Sequence, residues 1–409
     1  AERGFSGSML LRVPSLWLVL ASSAALGLQP KEKNQPKVTP PAVANVARGS
    51  SSRLEASCGN APPHADLMIS TLVFEAPWFV KEFLGNVLSF TENSTIIMVH
   101  LSSTSNYTKK DVASFNAASN RVVINCNRFK TAHNTGSLAR AHLSNMQFAM
   151  DEGMEFKHVM LLASNSWLIR SGVEKYIRPH GNSMEPTKEF PALELVLKWW
   201  EGDLFDMDIN VEKLPFRSKS LEARDKMYGD MYTKFNAVEK GLIDVLSPEG
   251  VKSLVYMGKH EGSFYPGSWM VSLCEELAQM PGVLEGMSSI EQYLEEIIFP
   301  TWGQMKLKEQ MKLKQCKLCS TPGHNAIAIM GDSQANKELT KMDIEMALAM
   351  DGKSFFGVKP VPRAKKDKGI RKRFRELVRE DALEKADQDD LDNLLDREEK
   401  EAGSLASLW

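Results

Sequence analysis

Between residues 67 and 163, short and almost unbroken apolar runs alternate with segments of helical period, joined by brief connections. Leu67 to Phe74 is the first run, and Trp78 to Phe90 then places Phe79, Phe83, Leu84 and Val87 at helical spacing. Thr95 to Leu101 is a second run, Lys109 to Ala118 a short polar helix, and Arg121 to Asn125 a third run. Ser137 to Glu152 carries Leu138, Ala141, Leu143, Met146 and Met150 on one helical face, and His158 to Ala163 is a fourth run. A strand apolar at nearly every position is buried on both faces. Regular alternation of such strands with helices predicts an α/β fold, a Rossmann-type, mostly parallel sheet with helices on both faces.

Sheets of this kind bind ligands beyond the carboxyl ends of their strands. That rule singles out His100, Cys126 and Ser164 to Ser166. Phe74-Glu75-Ala76-Pro77 follows the first strand where a dinucleotide fold would carry Gly-x-Gly-x-x-Gly, and no Walker A sequence occurs. A classical dinucleotide site and a P-loop are therefore not expected.

The ends of the chain read differently. Val13 to Leu28, preceded by Arg12, is apolar or small apart from three serines, the length of a signal peptide's apolar region or a short signal anchor. Residues 29–66 are rich in Pro, Ser, Lys and Asn and hold too little apolar surface to offset chain entropy, so a flexible stem is expected. Residues 67–363 form the expected globular domain, and 364–409 a charged tail, helical or disordered, with an Asp-rich run from Asp387 to Asp392. This layout, with sequons at Asn93 and Asn106, predicts a secretory-pathway protein, either lumenal in the Golgi as a type II membrane protein or secreted. The formal net charge of −2 gives no reason to expect a nucleic-acid partner. Of the five cysteines only Cys316-x-x-Cys319 is a close pair, and without two more ligands at metal spacing it reads as a local disulfide or two ordinary thiols.

Glu295-Glu296-Ile297-Ile298-Phe299-Pro300-Thr301 is the most chemically suggestive stretch. Two carboxylates close a polar, helix-like run from Ser288 to Glu296, a boundary where a side chain can be held in orientation yet face a cleft, as a general base must. An exposed Glu pair closing an amphipathic helix is the plainer alternative.

Several segments resemble, in order, those of the core-2/I-branching N-acetylglucosaminyltransferases and their xylosyltransferase relatives. Ile97-Met98-Val99-His100 resembles a strand that ends at the donor nucleotide. Gly136-Ser137-Leu138-Ala139-Arg140-Ala141 resembles the opening of the helix that follows, and Val159 to Arg170 the strand leading into that family's Ser-Gly-x-Asp segment. Glu296 to Thr301 resembles the segment of the catalytic base, and Phe355-Phe356-Gly357-Val358-Lys359 a late segment whose lysine binds the donor diphosphate. The resemblance spans Leu67 to Arg363. Serines stand at 102 and 166 where that family has acids, and Leu168 stands in place of a proline.

The resemblance implies a GT-A-like fold and an inverting, metal-independent transfer of a GlcNAc- or xylose-type sugar from a UDP-sugar to a hydroxyl of a glycan or glycoprotein, with no cofactor. Such a reaction needs a base on the acceptor hydroxyl, a charge on the leaving diphosphate and a held acceptor. Glu296 is the implied base. His100, Ser164, Ser166, Lys359 and Arg363 are the implied donor contacts, and Glu261 and Ser263, in His260-Glu261-Gly262-Ser263-Phe264-Tyr265, the implied acceptor contacts. Trp167, Trp199, Trp200, Trp269 and Trp302 are candidates to stack on sugar rings, with Trp302 the acceptor contact named among them. Two alternatives stay open. One is a metal-dependent transferase using Asp206 and Asp208, since Ser164-Asn165-Ser166 offers no carboxylate where an Asp-x-Asp would stand. The other is a catalytically inactive carbohydrate-binding or scaffold protein on the same fold.

Overall fold

A computed structural model of the chain describes residues 62–183, 188–201, 219–313, 323–329, 355–369 and 371–376, with isolated residues at 346, 348, 349, 378 and 379. The apolar N-terminal segment, residues 29–61 of the expected stem, Asp206, Asp208, Cys316, Cys319 and the Asp-rich run lie outside the described residues, and the last three stem residues, His64 to Asp66, are instead the start of the first strand. Among the described residues no helix is long and apolar enough to cross a membrane.

The expected alternation forms element by element. In chain order it runs β1 (His64–Val73), α1 (Pro77–Phe90), β2 (Thr95–Leu101), α2 (Lys109–Asn116), β3 (Val122–Asn125), α3 (Ser137–Asp151) and β4 (Glu155–Ala163). Pro77 opens α1 with a preset backbone angle. Thr108 and Asp111 cap α2 reciprocally, each side chain accepting the other's backbone N–H. Then come β5 (Trp167–Leu168), α4 (Val173–His180), β6 (Lys188–Pro191), α5 (Ala192–Glu201), α6 (Leu221–Tyr232) and α7 (Ala237–Leu246). The chain continues through β7 (Leu254–Met257), β8 (Phe264–Pro266), α8 (Gly267–Ala278), α9 (Val283–Gly286), α10 (Glu295–Lys312), β9 (Ile327–Ile329) and β10 (Gly357–Lys359).

The central sheet has the order β3-β2-β1-β4-β8. Its first four strands are parallel, and β8 adds an antiparallel edge on β4. Period-2 alternation sends Met68, Ile96 and Met98 to one face, against Ala139, Leu143 and Met146 of α3 and the helices beyond. Leu67, Ile69, Ile97 and Val99 go to the other face, against Phe79, Phe83 and Val87 of α1 and Phe115 of α2. The fold is thus α/β and Rossmann-type, as the apolar runs predict. Two smaller sheets, β5-β10-β9 and β6-β7, flank it.

Two features depart from the sequence reading. The Glu295-Glu296 pair does not close a helix over Ser288 to Glu296. It opens α10, and only a 3-10 turn at Met287–Ser289 precedes it. Second, the charged segment after residue 363 belongs to the packed molecule as far as it is described. Arg371, Phe374 and Val378 are buried, with Phe374 and Val378 packed in the cluster that holds α1, so the expected boundary at 363 falls inside the core.

Candidate active site

The order of the sheet places a topological switch between β1 and β4, because β1 runs on to β2 on one side and pairs with β4 on the other. The first residue cluster stands there. Glu75, two residues past β1, accepts a short hydrogen bond from the hydroxyl of Ser164, just past β4. Arg363 Nε lies 2.7 Å from Glu75 Oε1, Arg363 Nη2 donates to Ser164 Oγ at 3.3 Å, and the guanidinium stands 4.9 Å from the centre of the Phe74 ring. Val361 N donates to Asn165 O at 2.9 Å, which lays the segment from Lys359 to Arg363 across the end of β4. Ser166 is fully buried and its hydroxyl has no hydrogen-bond partner. His100 is also fully buried at the end of β2, its ring 4.3 Å from that of Phe129. Burial holds its pKa down to about 3, so the ring is neutral at physiological pH.

The second cluster forms where α10 begins. Pro300 has no N–H to give the carbonyl four residues earlier, which is that of Glu296. That carbonyl instead accepts from Gly258 N at 2.9 Å. Thr301 completes the attachment, since its hydroxyl takes Tyr256 N–H at 2.9 Å and donates to Tyr256 O at 3.0 Å. The first turn of α10 is thereby fixed against the strand that leads into Lys259, His260 and Glu261. The loop after β7 is just as constrained. Gly262 has a φ of +73° and a Cβ there would meet Ile327 N at 2.4 Å, so only glycine fits. Gly262 N donates to Leu161 O at 2.7 Å and its carbonyl accepts from Ala326 N at 2.9 Å, which brings β4, this loop and β9 together.

The side chains converge accordingly. Lys259 Nζ lies 3.3 Å from Glu296 Oε1, and the Lys359 ammonium forms a close ion pair with Glu261 Oε1. His260 Nδ1 lies 3.7 Å from Glu261 Oε2. The imidazole of His142, on α3, is 6.1 Å from that of His260, ring centre to ring centre, and its Nδ1 is held by the Ser70 hydroxyl at 2.9 Å. Burial alone would raise the Glu261 carboxyl, but His260 and the Lys359 ammonium beside it hold it well below the usual carboxylate range. Glu296 is pushed the other way, above an ordinary glutamate, by burial and by the negative charge of Glu261, with Lys259 opposing. Glu295, almost wholly enclosed, is raised much further by burial and by Glu296.

The structure therefore brings Glu296, Glu261 and Lys359 into one cluster and Ser164 and Arg363 into the adjoining one, joined by the segment from 359 to 363. Ser263 is buried beside His260 of the second cluster, its hydroxyl donated to His260 O at 2.7 Å. Trp302 is buried with its indole N–H on Trp269 O at 2.8 Å, and Lys306 stands 5.0 Å over its ring. Trp167, Trp199 and Trp269 are core residues too. Ser102, at one of the departures from the resembled pattern, is buried and its hydroxyl accepts Thr131 N–H at 3.1 Å.

Glu75, Lys259 and His142 are given no role by the sequence reading, and His260 and Glu295 appear in it only as neighbours of Glu261 and Glu296. Glu75 had a signal, a carboxylate directly after the first strand. The others are set by contacts between distant segments. Cys126 is disulfide-bonded, while Cys274 is buried and free. No family model and no curated protein sequence matches this chain.

Proposed function

We propose that this protein is an inverting, metal-independent glycosyltransferase that moves a sugar from a UDP-sugar to a hydroxyl of a glycan or glycoprotein, with Glu296 as general base. The observation that carries this reading is the convergence of Glu296 with Lys359 at the carboxyl end of the sheet, beside the switch-point cluster of Glu75, Ser164 and Arg363. Glu296 has what a base needs, an enclosed carboxylate with an affinity for protons raised by burial. Lys359 and Arg363 are the cations that would meet a leaving diphosphate, and in the free protein Glu261 and Glu75 balance them. A bound diphosphate would compete for both.

In this reading the acceptor hydroxyl loses its proton to Glu296 as its oxygen attacks the anomeric carbon, while the bond to the diphosphate breaks and the leaving charge falls to Lys359 and Arg363. Glu261 and Ser263 face the acceptor side in this proposal, and His100, Ser164 and Ser166 the donor side. The disulfide at Cys126 supports an oxidising compartment, in keeping with a secretory-pathway protein.

The test is a thermal-shift screen of the protein against UDP, UDP-sugars, GDP-sugars and free nucleotides, with and without EDTA, followed by a transfer assay. A UDP-dependent rise in melting temperature that survives EDTA and disappears in Lys359→Ala is expected. Glu296→Gln is expected to keep that rise and to lose about 10²–10⁴-fold in kcat. A shift abolished by EDTA would favour a metal-dependent transferase, and no response to any nucleotide from folded protein would favour a carbohydrate-binding role without catalysis.

A further inference from the structure

We propose that His260, Glu261 and Glu296 form a divalent-cation site, that Zn²⁺ is the ion their donor set favours, and that filling it silences transfer. The last clause rests on Glu296 being the base; the binding itself does not.

One donor atom from each of the three residues can be chosen so that all lie within 4.8 Å of one another. His260 Nδ1 and Glu261 Oε2 are 3.7 Å apart, and both atoms are buried without a hydrogen-bond partner. That separation is too long for a hydrogen bond. It is near the roughly 3.4 Å between two ligands on a tetrahedral zinc bound at about 2.0–2.2 Å. The two lysines leave this position open. Lys359 takes Oε1 of Glu261, the oxygen turned from His260, and Lys259 takes Oε1 of Glu296 while keeping about half of its side chain, 49 %, in solvent. A cation could therefore take Glu261 Oε2 and His260 Nδ1 with Lys359 in place, and Glu296 would close on it as Lys259 swings out.

The protonation states suit a metal. Burial holds the His260 ring at about 4, so it is neutral at physiological pH with a lone pair to give, and Glu261 is a carboxylate. With the ring proton on Nε2, His260 Nδ1 and Glu261 Oε2 are two buried acceptors facing each other, and a cation between them removes the cost of that arrangement. One imidazole and two carboxylates are a mixed nitrogen and oxygen set. Magnesium and calcium prefer oxygen alone, whereas zinc accepts both and stands high in the general order of affinity. Three protein ligands leave a fourth position for water or an acceptor hydroxyl. A cation bound there withdraws the electron pair of Glu296 from proton transfer, so occupation and catalysis by this carboxylate exclude each other.

The test uses the full chain after dialysis against a chelator. Zn²⁺ is titrated in competition with a chromophoric chelator, and Co²⁺ is followed by its visible spectrum. One ion per chain is expected. Its affinity is expected to fall by at least about tenfold in Glu261→Gln and in His260→Gln, the order found when even the supporting groups of metal sites are altered. Lys259→Met, which keeps all three donors and removes a competing charge, should bind Zn²⁺ more tightly, and it covers the case in which the first two variants misfold. The Co²⁺ spectrum should lack a thiolate charge-transfer band. The proposal is overturned if no ion binds stoichiometrically, if Lys259→Met binds more weakly, or if a thiolate band appears and vanishes in Cys316→Ser. In the transfer assay Zn²⁺ should inhibit and EDTA should restore the rate. Binding without inhibition would uphold the site and remove Glu296 from the role of base.

Discussion

Glu295 and Glu296 are neighbours in the first turn of one helix, and burial separates their chemistry. Both are raised above the ordinary carboxylate range, but Glu296 has Lys259 at 3.3 Å and Glu295 Oε2 has no partner. If Glu296 is the base, transfer requires its ionised form, so kcat/KM falls as pH drops through its raised pKa. Removing Lys259 takes away the charge that favours ionisation. Lys259→Met is therefore expected to move the acid limb of the kcat/KM profile upward by about 0.5–1 pH unit, at the low end for an opposite charge in contact because the ammonium is half exposed. An unmoved limb would mean that the titrating group is not Glu296. Glu295 bears on stability instead. Its folded pKa lies above the unfolded value of about 4.3, so above that pH the unfolded chain gives up a proton that the folded chain retains, and stability declines as pH rises toward the folded pKa. Glu295→Gln removes this penalty. In urea melts the variant should gain on the native protein as pH rises from about 5 toward the raised pKa of the folded carboxyl, by about 1.4 kcal/mol for each tenfold difference in acidity between the folded and unfolded carboxyl.

At the scale of elements, α10 shows why a motif can be legible while its cause is not. The spacing from Glu296 to Thr301 is visible in the sequence, yet Thr301 serves by bonding both backbone groups of Tyr256, on a strand 45 residues away in the chain. Thr301→Val keeps the shape and removes the hydroxyl, leaving two buried backbone groups unpaired. The expected loss in chemical denaturation is about 1–3 kcal/mol. The loss of transfer should exceed what the reduced folded fraction explains, because the turn carrying Glu296 is held by this contact. A loss of stability with an unchanged rate in the folded protein would show that Gly258 alone positions the turn. Pro300 explains the misplaced helix. A proline in a helical pattern reads as a boundary, so the pattern favours a helix ending at the pair. In the fold the carbonyl that Pro300 frees is used by Gly258, and the helix runs on. By contrast β1, β2, β3 and β4 were legible because each is apolar almost throughout, a property that needs no knowledge of partners.

For the whole molecule, the decisive contacts join segments that no local pattern relates. Glu261 meets Lys359 across 98 residues, and Arg371 meets Glu82 across 289. Arg371 is the clearest case, because it lies in the charged stretch that composition alone assigns to a peripheral tail. Its side chain is fully enclosed. Nε donates to Glu82 at 2.9 Å, Nη1 donates to the carbonyls of Pro362 at 2.9 Å and Ala364 at 2.8 Å, and the guanidinium stands 4.6 Å from the centre of the Trp78 ring. Those two carbonyls flank Arg363, so the residue that anchors the C-terminal segment to α1 also fixes the segment running to Lys359. Arg371→Ala should cost up to about 3–5 kcal/mol, the scale for breaking a buried pair, because it empties an enclosed site and strands two carbonyls, while Glu82 keeps Arg375 at 3.4 Å. Lys372→Ala, with 71 % of its side chain exposed and only a surface pair to Glu376, should change stability by no more than about 0.5 kcal/mol. Under conditions where both variants are folded, the UDP-dependent thermal shift should shrink in Arg371→Ala and persist in Lys372→Ala. If the shift is equal in the two, the segment from 359 to 363 is positioned by Glu75, Asn165 and Glu261 without help from the C-terminal segment, and the contribution of Arg371 is to stability alone.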